Sequence, residues 1–336
     1  MRDDTTGLVW KGINYDTGTN YAESGLSRKP VPSGLIRQHM AVIRNDLNCT
    51  SVNLFGTDIR RLTETAGAAL DLGLHVSLQP RLIDAEPDAM LHHLAAAATA
   101  TEELREQYGR VTLNVGCELT VFGSGIIPGG THADRSVKLA DPQWWPRLPE
   151  FNEKLNDLLG RARDVARAHF GGHLTYGAGL WEKVDWDGFD MVGLNYYRMA
   201  YNDADYAINL RRFRQHGKPI VITEFGCCSF DGAAEMGPAG YGIIDWTANP
   251  PRLAGSFTRN EQVQADYLSQ QLELFAAERV YGAYVFEFIA PKPHSPDARY
   301  DLDMASFGVV KAIGDGWEPK AAFHELARIY RRLRDL

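Results

Sequence analysis

Short runs of β-forming residues alternate eight times with longer helical stretches, and this rhythm limits the fold more than any other feature of the chain. The runs are WKGINY (10–15), TSVNLF (50–55), HVSLQP (75–80), VTLNVGCEL (111–119), HLTYGAG (173–179), DMVGLNYY (190–197), PIVITEF (219–225) and GAYVFEF (282–288). Helices are expected near 33–46, 58–72, 87–108, 149–170, 206–216, 259–278 and 319–334. In the first of these, Leu35, Ile36, Met40 and Ile43 recur at helical spacing behind Ser33, a residue type suited to capping. The connection 180–189 is short and Trp-rich, so a helix there is expected to be reduced or missing. Strand–helix alternation implies parallel strands, and eight units imply closure into a (β/α)8 TIM barrel, an α/β fold. An open doubly wound sheet would carry a Gly-rich phosphate turn after its first strand, and GINYDTGTNY has no GxGxxG. A length of 336 residues suits one such barrel over 1–336, with no repeat or linker to mark a second domain.

The strands sharpen this expectation. Val52 and Leu54, Val76 and Leu78, and Leu113, Val115 and Cys117 alternate with Ser51, Asn53 and Phe55, with Ser77, Gln79 and Arg81, and with Thr112, Asn114, Gly116 and Glu118. In a barrel the apolar set faces the helices and the polar set the lumen. An antiparallel sheet with one wet face would alternate in the same way, but the intervening helices oppose it. Two long loops are expected, 120–148 after strand four and 226–258 after strand seven, where lids and substrate walls form.

A net charge of −8 with no basic run argues against a nucleic-acid or anionic-membrane partner. No stretch reaches the roughly 18 apolar residues of a membrane helix. The first twelve residues, MRDDTTGLVWKG, do not read as a secretory leader. Cys49, Cys117, Cys227 and Cys228 show no CxxC spacing and read as reduced thiols of a cytoplasmic protein. A nucleophilic Cys would need a His–Asn partner motif, which is missing. His132, His216, His294 and Asp301 have no metal-ligand spacing, so neither metal nor cofactor is expected. Oligomeric state is not legible.

Glu118 and Glu224 end strands four and seven, and carboxylates at strand C-termini sit on the catalytic face of a barrel. Judged by Gly116 and Ile222, both fall on lumen parity. Two facing carboxylates suffice for glycosidic cleavage: one attacks the anomeric carbon, while the other protonates the leaving oxygen and then activates water. Here the chain resembles the clan A glycoside hydrolases, from KGINYD to the last strand. PIVITEFG resembles the clan's strand-seven nucleophile motif and implies Glu224 as nucleophile; NVGCEL implies Glu118 as acid/base. LWEKVDWDGFDMVGLNYY resembles the strand-six stretch, which implies that Asn195 and Tyr197 face the site and that Tyr197 reaches the nucleophile. GAYVFEF resembles the strand-eight segment whose aromatic residue floors the sugar subsite, here Phe286. The resemblance thus implies a retaining hydrolase of β-linked glycosides with a carbohydrate substrate.

The chain departs from the clan at three places. Cys117 precedes the acid/base where Asn is usual, Phe286 replaces Trp, and Asn53 stands where strand two usually carries Arg. Cys is a weak hydrogen-bond donor, so recognition of the sugar 2-hydroxyl must be altered. Asn14, Asp16, Gln79 and Arg81 are candidate sugar-hydroxyl contacts or lumen packing; Trp181, Trp246 and Phe286 are candidate stacking platforms or core. Glu287 is a candidate substrate-positioning group, and Glu118 could instead serve only as an ion-pair partner of Arg81. Other functions left open are a transglycosidase with the same residues, a non-catalytic sugar-binding barrel, and a lysine-dependent lyase or aldolase. The last is weakened because Lys11, at a strand start, is the only lysine in the eight strands.

Overall fold

The computed structural model describes residues 8–22, 25–314 and 316–333, so the seven N-terminal residues of the leader reading and Arg334 of the last expected helix lie outside it. Eight parallel strands form the barrel: Trp10–Asp16, Ser51–Gly56, His75–Pro80, Val111–Cys117, His173–Gly177, Val192–Asn195, Ile220–Phe225 and Gly282–Val285. Each pairs with its neighbour in chain order, and the eighth returns to the first with Trp10 opposite Gly282. The seam between strands five and six is joined by a single parallel bridge, Ala178 to Leu194. There Ala178 N–H donates to the Gly193 carbonyl at 3.0 Å and Asn195 N–H to the Ala178 carbonyl at 2.8 Å.

The outer ring consists of helices Ser33–Ala41, Ile59–Asp71, Pro87–Tyr108, Leu148–His169, Tyr206–Arg212, Glu261–Ala277 and Ala321–Arg332. Caps set several ends: Asp58 accepts from Arg61 N–H, and Asn260 accepts from Gln262 and Val263 N–H. Ser33 is not a cap; Pro32 holds that position and Ser33 begins the first turn. Residues 178–191 carry no helix, as the short Trp-rich segment suggested. In its place Trp186 and Phe189 fold back against the wall in an edge-to-face pair, their centroids 5.9 Å apart.

The main core lies between strands and helices. Ile13, Val52, Leu54, Val76, Leu78, Leu113, Leu174, Val192, Ile222 and Val285 point outward and are fully buried with Leu62, Leu155, Leu272 and Leu326. Apolar burial on this scale drives the closure. The lumen is plugged at its N-terminal end by Trp10, Met191, Val221 and Tyr284. Gly12 is required there, because a Cβ would lie 2.2 Å from the Tyr284 ring. Above the plug comes a polar layer, in which Ser51 Oγ lies 2.6 Å from the Tyr284 hydroxyl and Asn53 Nδ2 donates to Asn14 Oδ1 at 2.6 Å. The lumen therefore opens only at the C-terminal mouth.

Loop 120–148 contains a capped helix, His132–Ala140, and is fastened by buried Arg135, which donates to the Val121 and Gly129 carbonyls and to Asp84. After strand seven come two helical turns and a small hairpin, Ile244–Asp245 with Arg252–Leu253. After strand eight the chain builds a three-stranded sheet, Ile289–Pro293, Val310–Ile313 and Gly316–Pro319, that was not expected from the strand–helix rhythm. Among the described residues no helix is long and apolar enough to cross a membrane.

Candidate active site

Glu118 and Glu224 meet at the mouth, but simple strand parity does not bring them there. Strand four pairs Asn114 with Thr175 and then Cys117 with Gly177, so it carries one extra residue. Strand seven does the same, pairing Ile222 with Leu194 and then Glu224 with Asn195. Such bulges re-aim side chains. Gly116 faces Leu119 on the helix side, and Ile222 lies in the outer core, so neither marks lumen parity as expected. Cys117, expected outward, turns into the site. Glu118 follows in a left-handed conformation at φ 43°, uncommon for a residue with a Cβ.

Glu224 is buried and held from three sides. Arg81 Nη2 donates to Oε1 as a close ion pair, Cys117 Sγ lies 3.5 Å from the same oxygen, and the Tyr197 hydroxyl donates to Oε2 at 3.2 Å. Arg81 pairs with Glu224 and not with Glu118. Its Nε donates to Gln79 Oε1 at 2.8 Å and its Nη1 to the Tyr21 hydroxyl at 2.8 Å, while the guanidinium lies 3.9 Å from the Phe55 ring centroid. Strand two thus gives Phe55 as a shelf, and the cation comes from the end of strand three. Burial holds the Tyr197 phenol well above its usual range, so it stays a neutral donor.

Glu118 has a different environment. Asn195 Nδ2 donates to its Oε1 at 2.9 Å and also lies 3.2 Å from Cys117 Sγ. The orientation of that amide is fixed by Thr223, whose hydroxyl donates to Asn195 Oδ1 at 2.8 Å. Desolvation first, and then the charge of Glu224, push the Glu118 carboxyl up to about 8. One carboxylate is thus supplied with cationic and hydroxyl donors, while the other retains its proton at neutral pH. Such divergence between neighbours separates acid from base.

The remaining candidates divide. Asn14 donates to the Thr223 carbonyl at 3.0 Å and Gln79 to the Gly116 carbonyl at 3.4 Å, so both sit within the hydrogen-bonded lumen. The Asp16 carboxylate accepts from Gly18 N–H, Thr19 and Ser27, tying down the loop after strand one. Phe286 stacks on Phe55 with centroids 5.7 Å apart, beside Arg81. Strand eight ends at Val285, so Phe286 and Glu287 belong to the mouth. Glu287 is buried, its carboxyl has no hydrogen-bond partner among the described residues, and burial, then the charge of Asp16, push that carboxyl up to about 8. Trp181 Nε1 donates to Thr120 Oγ1 at 2.8 Å, two residues past Glu118. Trp246 is 56% exposed beyond the Ile244–Asp245 strand, and no contact joins it to either carboxylate. Sequence reasoning missed Tyr21, Thr223 and Glu182. Tyr and Thr carry no distinctive motif, and nothing in the spacing of the 180–189 connection marks Glu182.

Fold and site together define a (β/α)8 barrel whose mouth holds two carboxyl groups in unlike surroundings. No protein-family model matches the chain, and no curated protein matches it. Among the solved structures it is similar to are glycoside hydrolases. One GH113 β-1,4-mannanase structure superposes with a TM-score of 0.62 at 16% identity, covering 96% of this chain and 99% of that one. The GH113 β-mannanase of Alicyclobacillus acidocaldarius gives 0.56 at 16% identity over 97% and 98%. The β-D-glucuronidase of Dictyoglomus thermophilum gives 0.57 at 13% identity over 97% of this chain and 51% of that one. At these identities the likeness is one of fold.

Proposed function

We propose that this chain is a retaining glycoside hydrolase acting on a β-linked glycoside or oligosaccharide. The observation that carries the reading is the unequal treatment of the two mouth carboxyls: Glu224 receives Arg81 and Tyr197, while Glu118 is pushed up to about 8. Glu224 attacks the anomeric carbon as the bond to the leaving oxygen breaks and that oxygen takes the Glu118 proton. Water then loses a proton to Glu118 as it displaces Glu224, restoring both groups. Arg81 and Tyr197 hold the nucleophile in one orientation, and Asn195 holds the acid.

The charge balance favours a neutral sugar over a uronate. Every nitrogen of Arg81 is already committed to Gln79, Tyr21 or Glu224. Arg28 donates to the Asp16 carbonyl, and the Lys292 ammonium sits 4.0 Å from the Tyr241 ring centroid. Mannoside and glucoside therefore stand ahead of glucuronide, although β-glucuronidases are among the fold neighbours.

The test is a panel of 2-deoxy-2-fluoro β-glycosides carrying good leaving groups, followed by peptide mapping. An adduct on Glu224 from a neutral sugar is expected. A panel member that reacts at another residue overturns the assignment of the nucleophile. Preferential reaction of the glucuronide overturns the substrate class.

A further inference from the structure

Glu182 lies on the helix-free connection after strand five and is buried. Four donors converge on its carboxylate. Oε1 accepts from Thr120 N–H at 3.1 Å and from the Thr120 hydroxyl at 2.6 Å; Oε2 accepts from the Tyr176 hydroxyl at 2.9 Å and from Gly179 N–H at 3.0 Å. With donors on all sides, the group is used as an acceptor only, as an ionised carboxylate is. The Tyr176 oxygen in turn accepts from Leu119 N–H at 2.7 Å. Glu118 N–H donates to the Gly177 carbonyl at 2.9 Å. The backbone N–H groups of Glu118, Leu119 and Thr120 are therefore all moored to strand five and its loop. Between the first and last of them Glu118 keeps its left-handed backbone.

We propose that Glu182 is a positioning residue for the acid/base: through Tyr176 and Thr120 it fixes the two residues after Glu118, and so the direction in which Glu118 presents its proton. The proposal rests on the hydrolase reading above. Val121 and Phe122 N–H close a helical turn on the Glu118 carbonyl, and the first two N–H groups of that turn, those of Leu119 and Thr120, which have no partner inside it, point to Tyr176 and Glu182. The burial of an anion, costly in itself, is explained by the need for an acceptor at that place. Its charge also opposes ionisation of Glu118. Glu182 thus sets the aim of the acid without touching substrate, and its charge adds to desolvation and Glu224 in raising the proton affinity of Glu118.

The experiment compares Glu182→Gln and Tyr176→Phe with wild type on aryl β-glycosides of the sugar found by the fluoroglycoside panel. Leaving groups run from 2,4-dinitrophenol, which departs without a proton, to 4-methoxyphenol, which needs one. Both variants are expected to lose about 10²-fold in kcat/KM on the 4-methoxyphenyl glycoside, the size of effect a misplaced group produces. The dinitrophenyl glycoside should change by less than about threefold, because no general acid is required there. Glu182→Gln should also move the alkaline limb of the pH profile to lower pH, since an anion beside Glu118 has gone. Titration of carbon-13-labelled Glu118, assigned with Glu118→Gln, gives the same shift without a substrate. Equal losses across the leaving groups, no losses, or an unmoved Glu118 titration would overturn the proposal. Glu118→Ala serves as the reference: if it spares the 4-methoxyphenyl glycoside, the reading of the site itself fails, separately from that of Glu182.

Discussion

Replacing Arg81 with Met should show how far the mouth of the barrel depends on one cation. Met keeps the stem packed on Phe55 but removes donors to Gln79, Tyr21 and Glu224. Only 4% of the Arg81 side chain and 8% of the Glu224 side chain is exposed, so the change strands a charge out of reach of bulk water. Removing one partner of a buried pair costs about 3–5 kcal/mol. Unfolding entropy of ~2.1 cal/mol/K per residue gives ~0.7 kcal/mol/K for 336 residues. The melting temperature should therefore fall by about 4–7 °C. In a Glu224→Gln background the stranded group is neutral, and the same Arg81→Met change should cost about 2 kcal/mol less. Thermal unfolding of the four proteins in the cycle measures this. An equal cost in both backgrounds would refute the argument, since Arg81 would then matter for packing alone.

Other outcomes follow from the geometry. Hydrolysis should decline above pH about 8 as Glu118 loses its proton, a limb absent from Glu118→Ala assayed on a dinitrophenyl glycoside. Because that carboxyl binds its proton more tightly folded than at its ordinary value of 4.5, the folded state loses stability as pH rises from 4.5 to about 8. Glu118→Gln should accordingly melt higher than wild type above pH about 8, with the advantage gone below 4.5. Gly193→Ala places a Cβ 2.2 Å from the Tyr176 carbonyl oxygen and should cost about 3 kcal/mol in a denaturant titration. All four cysteines are buried and free, so a thiol reagent should find none of them in the native protein and four after denaturation.

The barrel could be read from the sequence because period-two strands and period-3.6 helices alternate with little interruption. The outward apolar positions such as Val52, Leu78 and Leu113 came out buried as that pattern requires. The meeting of Glu118 and Glu224 was legible from their places at strand ends and from motif likeness. Parity by itself misassigned Gly116, Cys117 and Ile222, since a one-residue bulge leaves no mark in hydrophobic periodicity. The cation beside Glu224 was equally hidden. Arg81 lies one residue past its strand, and its partner is 143 positions away. Asn14, Asp16 and Gln79 read as sugar contacts or as lumen packing, because polar strand residues fit either an open or a hydrogen-bonded lumen. In the fold Asn14 bonds to Asn53 and the backbone, Asp16 to Thr19, Ser27 and the backbone, and Gln79 to Arg81 and the backbone.

The missing helix after strand five gives the barrel an uneven resistance to heat. Seven of its joints are ladders of several paired residues, three of them with a bulge, and the eighth is a single bridge at Ala178 and Leu194. The same stretch of chain carries Glu182, which holds the backbone beside Glu118. On warming, the ring should part there first, and the acid would lose its aim while the other strands remain paired. Inactivation would then precede unfolding, with activity fading some degrees below the collapse of the circular dichroism signal.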